Sequence, residues 1–400
     1  MMHTNKSITS YLPILAFPLW MVIIVVPFLT RSTRVEWSNL SNFIVYYHYS
    51  GILIFFTFLI LHRPNILFNC SLIKSQDLPK FLINIFFGSL FYSSFLSLDV
   101  GKSLSYTVVT YITVLFFSRL WMEEWNRVRI GLYLFGGIIF ALLFLAVLYH
   151  GMPRERWIGG IHPNHFAGIA LSAMVALFFQ STKIRVIAAV LALISVVLVN
   201  SRGGLLAVID FVACYTLLAL IGRRTVKQLG LLIFIFTIIF FGSAIFLSEI
   251  SEQFLSITKI NDQARGLGSG LTGRSQNWDV ILNLIAERPF SGYGFRTENV
   301  LTLLIHNAYL KLFLQVGLFG GVVFILLSLI QGWRMLALCI QIAPYDEEKA
   351  NIYRVIASAI FMIMINGLLE SVMINIGFPL PILFLFLLVA PTNPHALLRR

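Results

Sequence analysis

Read for its apolar and polar positions, the chain alternates long apolar stretches with short polar ones almost from end to end. Apolar segments fall near residues 11–30, 43–62, 78–98, 104–121, 128–149, 166–180, 184–200, 203–221, 229–248, 306–330, 353–373 and 374–390. Each is close to the ~20 residues that a helix needs to cross the hydrocarbon of a bilayer. The pattern therefore predicts an all-α, polytopic membrane protein of about twelve transmembrane helices. The first segment, "YLPILAFPLWMVIIVVPFLT", lacks a small-residue cleavage site and is too long for the apolar core of a signal peptide, so it is expected to remain as the first span.

Between residues 249 and 305 the pattern changes. "NDQARGLGSGLTGRSQ" is a flexible, Gly-rich opening, and "SQNWDVILNLIAERPFSGYGF" follows it. Trp278, Ile281, Leu282 and Ile285 recur at helical spacing until "RPFSGYG" stops them. A short amphipathic helix is expected there, lying on the membrane or capping a cavity. The expected organisation is thus a bundle of nine helices over 1–248, one long loop over 249–305, and three last helices with the C-terminus over 306–400. No internal repeat and no separately folding soluble domain are expected.

Composition agrees. Of 400 residues, 58% are hydrophobic and 12% charged, with 36 Phe, which excludes a water-facing globule. The net charge of +12 would suggest nucleic acid in a soluble protein, but membrane topology explains it more simply. An even number of spans puts both termini on one side. That side carries the larger set of loop cations, including Lys6, Arg63, Arg223, Arg224, Lys227, Arg399 and Arg400, and by the positive-inside rule it is the cytoplasm. The opposite face holds Arg202, His162, His165 and the long loop. Cys70, Cys214 and Cys339 are scattered and odd in number, so neither a disulfide framework nor a metal cluster is indicated.

Several polar residues then stand out. In "LLIHNAYLKLFLQVGLFGG" a His-Asn pair fronts an apolar helix. Counted at 100° per residue, Leu310, Phe313, Gly317, Gly320 and Gly321 share the face of His306, and small residues there admit a neighbouring helix. The helix N-terminus disfavours a second proton on the imidazole, which suits a general base. The competing reading is an interfacial His-Asn cap that satisfies free backbone N–H groups. In "VNSRGGLLA", Arg202 stands in a short outward turn with Ser201 as an N-cap and two glycines beside it. Its planar fork suits phosphate oxygens, although an Arg snorkelling to ordinary lipid phosphates looks the same in sequence. Arg274 and Arg296 flank the amphipathic segment, with Arg265 and Arg288 as further cations; a diphosphate would fit this group. His162 and His165 in "WIGGIHPNHFAG" lack the ligands that would complete a metal site. Asp210, Lys311 and Glu370 fall inside expected spans, where charge is expensive; Lys311 is near enough to an end to snorkel, while Asp210 and Glu370 have Arg or His as prospective partners.

On these residues the chain resembles the bacterial O-antigen ligases, in a superfamily shared with O-antigen polymerases and some oligosaccharyltransferases. The most specific element is His306-Asn307, nine residues, then "GLFG". It is supported by "NSRGG" at Arg202, "TGR" at Arg274 with Trp278 after it, and "ERPFSGYGF"; "HPNHFAG" is a looser likeness. The resemblance implies a glycosyltransferase C-like fold in the bacterial inner membrane, with cytoplasmic termini and a long periplasmic loop before the His helix. It implies transfer of a finished glycan from undecaprenyl diphosphate to lipid A-core, metal-independent, without a cofactor and with inversion. His306 would take the proton from the acceptor hydroxyl, Arg202 and Arg274 would stabilise the departing diphosphate, and Arg296 and Asn307 would contribute to binding. The alternatives are an O-antigen or capsule polymerase using the same type of donor and, further off, a flippase of lipid-linked oligosaccharide, which would be expected to show repeats and midplane polar sites.

Overall fold

The structure is a computed structural model, and it describes residues 78–121, 125–153, 158, 161–221, 274–299, 301, 303, 305–371, 373–374 and 378–391. These form helices α1 (Leu78–Phe95), α2 (Val100–Leu120), α3 (Trp125–His150), α4 (Pro163–Leu177), α5 (Thr182–Leu198), α6 (Arg202–Ile221), α7 (Arg274–Glu287), α8 (Ala308–Ile342), α9 (Glu347–Asn366) and α10 (Pro379–Leu388). All but α7 coincide with apolar segments of the sequence. The segments near 11–30, 43–62 and 229–248, and the start of the long loop, lie outside the described residues. Among the described residues, α2, α3, α6 and α8 are each long and apolar enough to cross a membrane, and α4 and α10 are shorter apolar helices. The chain is a polytopic, helical membrane protein.

The described residues divide into two compact units: those within 78–88, 104–208 and 373–391 in one, those within 89–103 and 209–371 in the other. In the first, α4 is the central helix, packed by α3, α5 and α10. Every residue from Phe166 to Leu177 is buried, as expected of a helix that is apolar all round. Gly136 of α3 lets that helix lie on α4, since a Cβ there would stand 2.9 Å from the Ala173 carbonyl oxygen. At one edge Trp121 stacks between Trp125 and Phe386, and its indole N–H donates to the Phe386 carbonyl at 2.7 Å.

In the second unit α8 packs against both α7 and α9. The amphipathic face of α7 is where the sequence pattern puts it, with one exchange: Ile281 and Ile285 are buried against Tyr293, Ile305 and Leu314, and Trp278 and Leu284 join them, whereas Leu282 faces outward. The α8 helix is not continuous. Gly317 has φ 72° and ψ 174°, a left-handed position that favours glycine and interrupts the ladder. The interruption frees backbone groups inside a spanning segment, where they must find partners within the protein. They find them in "RPFSGYG". The Leu318 N–H donates to Pro289 O at 2.6 Å, the Tyr293 N–H to Leu314 O at 2.8 Å, and the Gly294 N–H to Gln315 O at 3.0 Å. The Ser93 hydroxyl also donates to Gln315 O. Gly292 admits this approach, because a Cβ there would sit 2.6 Å from both Gln315 O and Gly317 N.

Candidate active site

His306 does not lie in the helix. The N-cap of α8 is Asn307, whose side-chain oxygen accepts from the N–H groups of Tyr309 and Leu310 at 2.9 and 3.0 Å. His306 therefore stands one residue ahead of the cap, and the break at Gly317 ends any count of 100° per residue before Gly320 and Gly321. The glycine-lined face expected to orient the imidazole is corrected on both grounds. What places the ring is Asn307. Its amide donates to Leu368 O at 3.2 Å, and the next N–H, that of Ala308, donates to Gly367 O at 2.8 Å. Tyr309 adds a third tie, from its hydroxyl to Met364 O at 2.7 Å. The start of α8 is thus bound to the end of α9.

This junction brings His306 to Glu370. The α9 helix stops at Asn366, so Glu370 lies in the bend beyond it and not within a helix, as an apolar segment over 353–373 would place it. His306 Nδ1 and Glu370 Oε2 are 4.0 Å apart; the glutamate side chain is largely buried and the imidazole is 37% exposed. At that separation the pair is electrostatic and short of a hydrogen bond. A carboxylate on the Nδ1 side favours a hydrogen on that nitrogen and leaves Nε2 as the acceptor, on a ring that solvent or a substrate reaches.

A second cluster lies along the first turns of α8. Lys311 does not snorkel: it is 9% exposed and its ammonium is 2.9 Å from Glu298 Oε1. Gln315 donates to Glu298 Oε2 at 2.6 Å, and Arg296 Nε is 3.9 Å from Oε1. Glu298 belongs to a short 3-10 turn, Thr297–Asn299, that packs on α8. Burial alone would raise its carboxyl, but the charges of Lys311 and Arg296 and the hydrogen bonds from Lys311 and Gln315 outweigh burial and hold it at about 2. The sequence pattern does not single out Glu298; the signal that points to it is an ammonium inside an apolar helix, which requires a carboxylate partner. Arg296, a candidate for substrate binding, has φ 66° and is folded against this glutamate.

Arg274 opens α7, and its side chain lies outside the described residues, as does Arg265. Arg288 packs over the Tyr293 ring at 4.6 Å and donates to Leu96 O. Arg202 belongs to the other unit. It is exposed at the first position of α6, whose N-cap is Ser201 as the sequence suggested: the Gly204 N–H donates to Ser201 Oγ at 3.2 Å. In the same unit His162 caps α4 by accepting the Asn164 N–H at Nδ1, and its ring is 5.4 Å from that of His165. Asp210 is buried in α6, and its Oδ2 has no hydrogen-bond partner among the described residues.

Residues 187–325 match the family model described as O-antigen ligase. The match takes in Arg202, Arg274, Arg296, Glu298, His306, Asn307, Lys311 and the break at Gly317. By class, the match supports an O-antigen ligase- or polymerase-type function in general, on a chain whose helices are those of a membrane protein. The likeness over 187–325 supports the O-antigen ligase family. No curated protein matches the chain.

Proposed function

We propose that the protein is an O-antigen ligase that transfers a glycan from undecaprenyl diphosphate to a sugar of lipid A-core, at the periplasmic face of the bacterial inner membrane. The observation that carries this reading is His306, set ahead of the Asn307 cap with Glu370 on its Nδ1 side, within the family-matched stretch. The acceptor hydroxyl gives its proton to Nε2 as its oxygen forms a bond to the anomeric carbon, and the bond from that carbon to the diphosphate oxygen breaks with the electron pair leaving on the diphosphate. Attack from the side opposite the leaving group inverts the carbon. Once its charge is neutralised a diphosphate needs no general acid, so the paired carboxylates of glycoside hydrolysis are dispensable and arginines suffice. Arg202 and Arg274 take that role, with Arg296 contributing and Asn307 fixing the base. On this reading no metal takes part, the spans number about twelve, and both termini are cytoplasmic.

The test is transfer by purified, reconstituted protein given a lipid-linked glycan donor and lipid A-core. Glycosylated core supports the reading. Elongation of the lipid-linked glycan with the core left untouched would make the protein a polymerase. Movement of the donor across the bilayer without transfer would make it a flippase.

A further inference from the structure

The "HPNHFAG" segment has no place in the mechanism above, yet it is joined to the residue next to Arg202. Ser201 is 2% exposed, and its hydroxyl donates to Asn164 Oδ1 at 3.2 Å. A serine hydroxyl has one hydrogen. With that hydrogen committed to Asn164, a lone pair faces the Gly204 N–H, which it accepts at 3.2 Å. Asn164 therefore fixes the rotation of the capping hydroxyl, and the cap fixes the first turn of α6, on which Arg202 is mounted. Asn164 is itself held, because its own N–H donates to His162 Nδ1 at 3.2 Å. The two helix starts have no slack between them: a Cβ at Gly204 would lie 2.6 Å from Ala167 Cβ, and Gly204 is buried. The turn before α6 also has Asn200 at φ 48°, a left-handed position that asparagine adopts more readily than most residues.

We propose that Asn164 is a positioning residue for Arg202, acting through the Ser201 hydroxyl to aim the guanidinium at the anionic headgroup of the donor. This rests on the assignment of Arg202 to the donor diphosphate. It goes beyond it by making the start of α4 part of donor recognition. His162 has a lesser share, as the group that holds Asn164 at the helix start.

The experiment is a double-mutant cycle on the full-length protein in detergent, read as the Kd for a polyprenyl diphosphate. The proteins are wild type, N164A, R202A and N164A/R202A, with S201A as a milder probe of the same link. N164A and S201A are each expected to weaken binding about tenfold. In the R202A background N164A is expected to change Kd by less than about twofold, because the group it positions has gone. A positioning role is overturned if N164A and S201A both bind like wild type while R202A is weakened. It is equally overturned if N164A loses the same factor with and without Arg202, which is what a general loosening of the fold gives. If R202A itself binds like wild type, the diphosphate assignment fails, and this proposal with it. Should N164A not fold, S201A and S201A/R202A complete the cycle, since removing one hydroxyl leaves the packing of α4 intact.

Discussion

Helices α6 and α8 both start at a capped turn with a candidate functional residue beside the cap, and they display it from opposite sides. At α6 the cap is Ser201 and Arg202 is the first residue inside the helix. At α8 the cap is Asn307 and His306 is the last residue outside. A residue inside takes its direction from the helix that carries it. A residue outside takes its direction from whatever holds the cap on its far side, here the carbonyls of Gly367 and Leu368 at the end of α9. The arginine is therefore carried inside its helix, behind a cap that Asn164 of α4 holds, and the histidine stands outside its helix, ahead of a cap that the end of α9 holds.

The largest effect expected is on the α8 side. His306→Ala should lower the rate of glycan transfer by roughly 10²–10⁴, the usual worth of a general base, while insertion and melting stay as in wild type. Transfer at the wild-type rate by that variant would remove the base assignment. Glu298→Gln leaves Lys311 and Arg296 as buried like charges without their counterion, and should destabilise the protein by about 3–5 kcal/mol in detergent melts. The pH dependence has a definite sign. A carboxyl held at about 2 when folded, against an ordinary 4.5, stabilises the fold above 4.5 and loses that contribution as pH falls towards 2. The gap between wild type and Glu298→Gln should be constant from pH 8 to 5 and narrow only below about 4.

Two glycines sharpen the contrast next. Gly317→Ala meets both a left-handed backbone and the Phe290 carbonyl, and should cost about 2–5 kcal/mol. Gly204→Ala keeps an ordinary helical backbone but meets the side chains of Ala167, Ser201 and Val196, and should cost about 1–3 kcal/mol. Denaturant midpoints of the two variants would order them, and the reverse order would mean that the break in α8 is not an obligatory feature. The smallest effect is the most selective. Asn307→Ser keeps an oxygen for the cap but loses the amide bond to Leu368 O, so stability should change by less than about 0.5 kcal/mol. Transfer should nonetheless fall about tenfold, an order of magnitude for a displaced base. Unchanged turnover in this variant would show that the junction with α9 does not place His306.

Much of this was legible in the chain. Among the described residues the apolar helices follow from hydropathy because an apolar run of that length has few other stable fates, and α7 follows from the spacing of Trp278, Ile281 and Ile285. The Ser201 cap and the His-Asn pair are local signals that survive folding. The errors have a common physical origin in long-range pairing. The glycines after His306 look in sequence like a close-packed helix face, and only the distant "RPFSGYG" segment converts the first of them into a break. Lys311 looks like a snorkelling cation until Glu298 arrives from the loop. Leu282 and Leu284 are two residues apart, and the choice between them as the buried one depends on the partner surface.

The break at Gly317 also bears on how the chain is made. Residues 289–294 leave the ribosome before Leu314 to Leu318, so the backbone groups that α8 will need are already synthesised when its interrupted turn emerges. Were the order reversed, free carbonyls and amides would wait in hydrocarbon for a partner still inside the ribosome, at several kcal/mol for each group. The order of the segments along the gene thus spares the nascent helix an exposed interval, and a circular permutant that moved the loop behind α8 would lose that protection while keeping every contact of the finished protein.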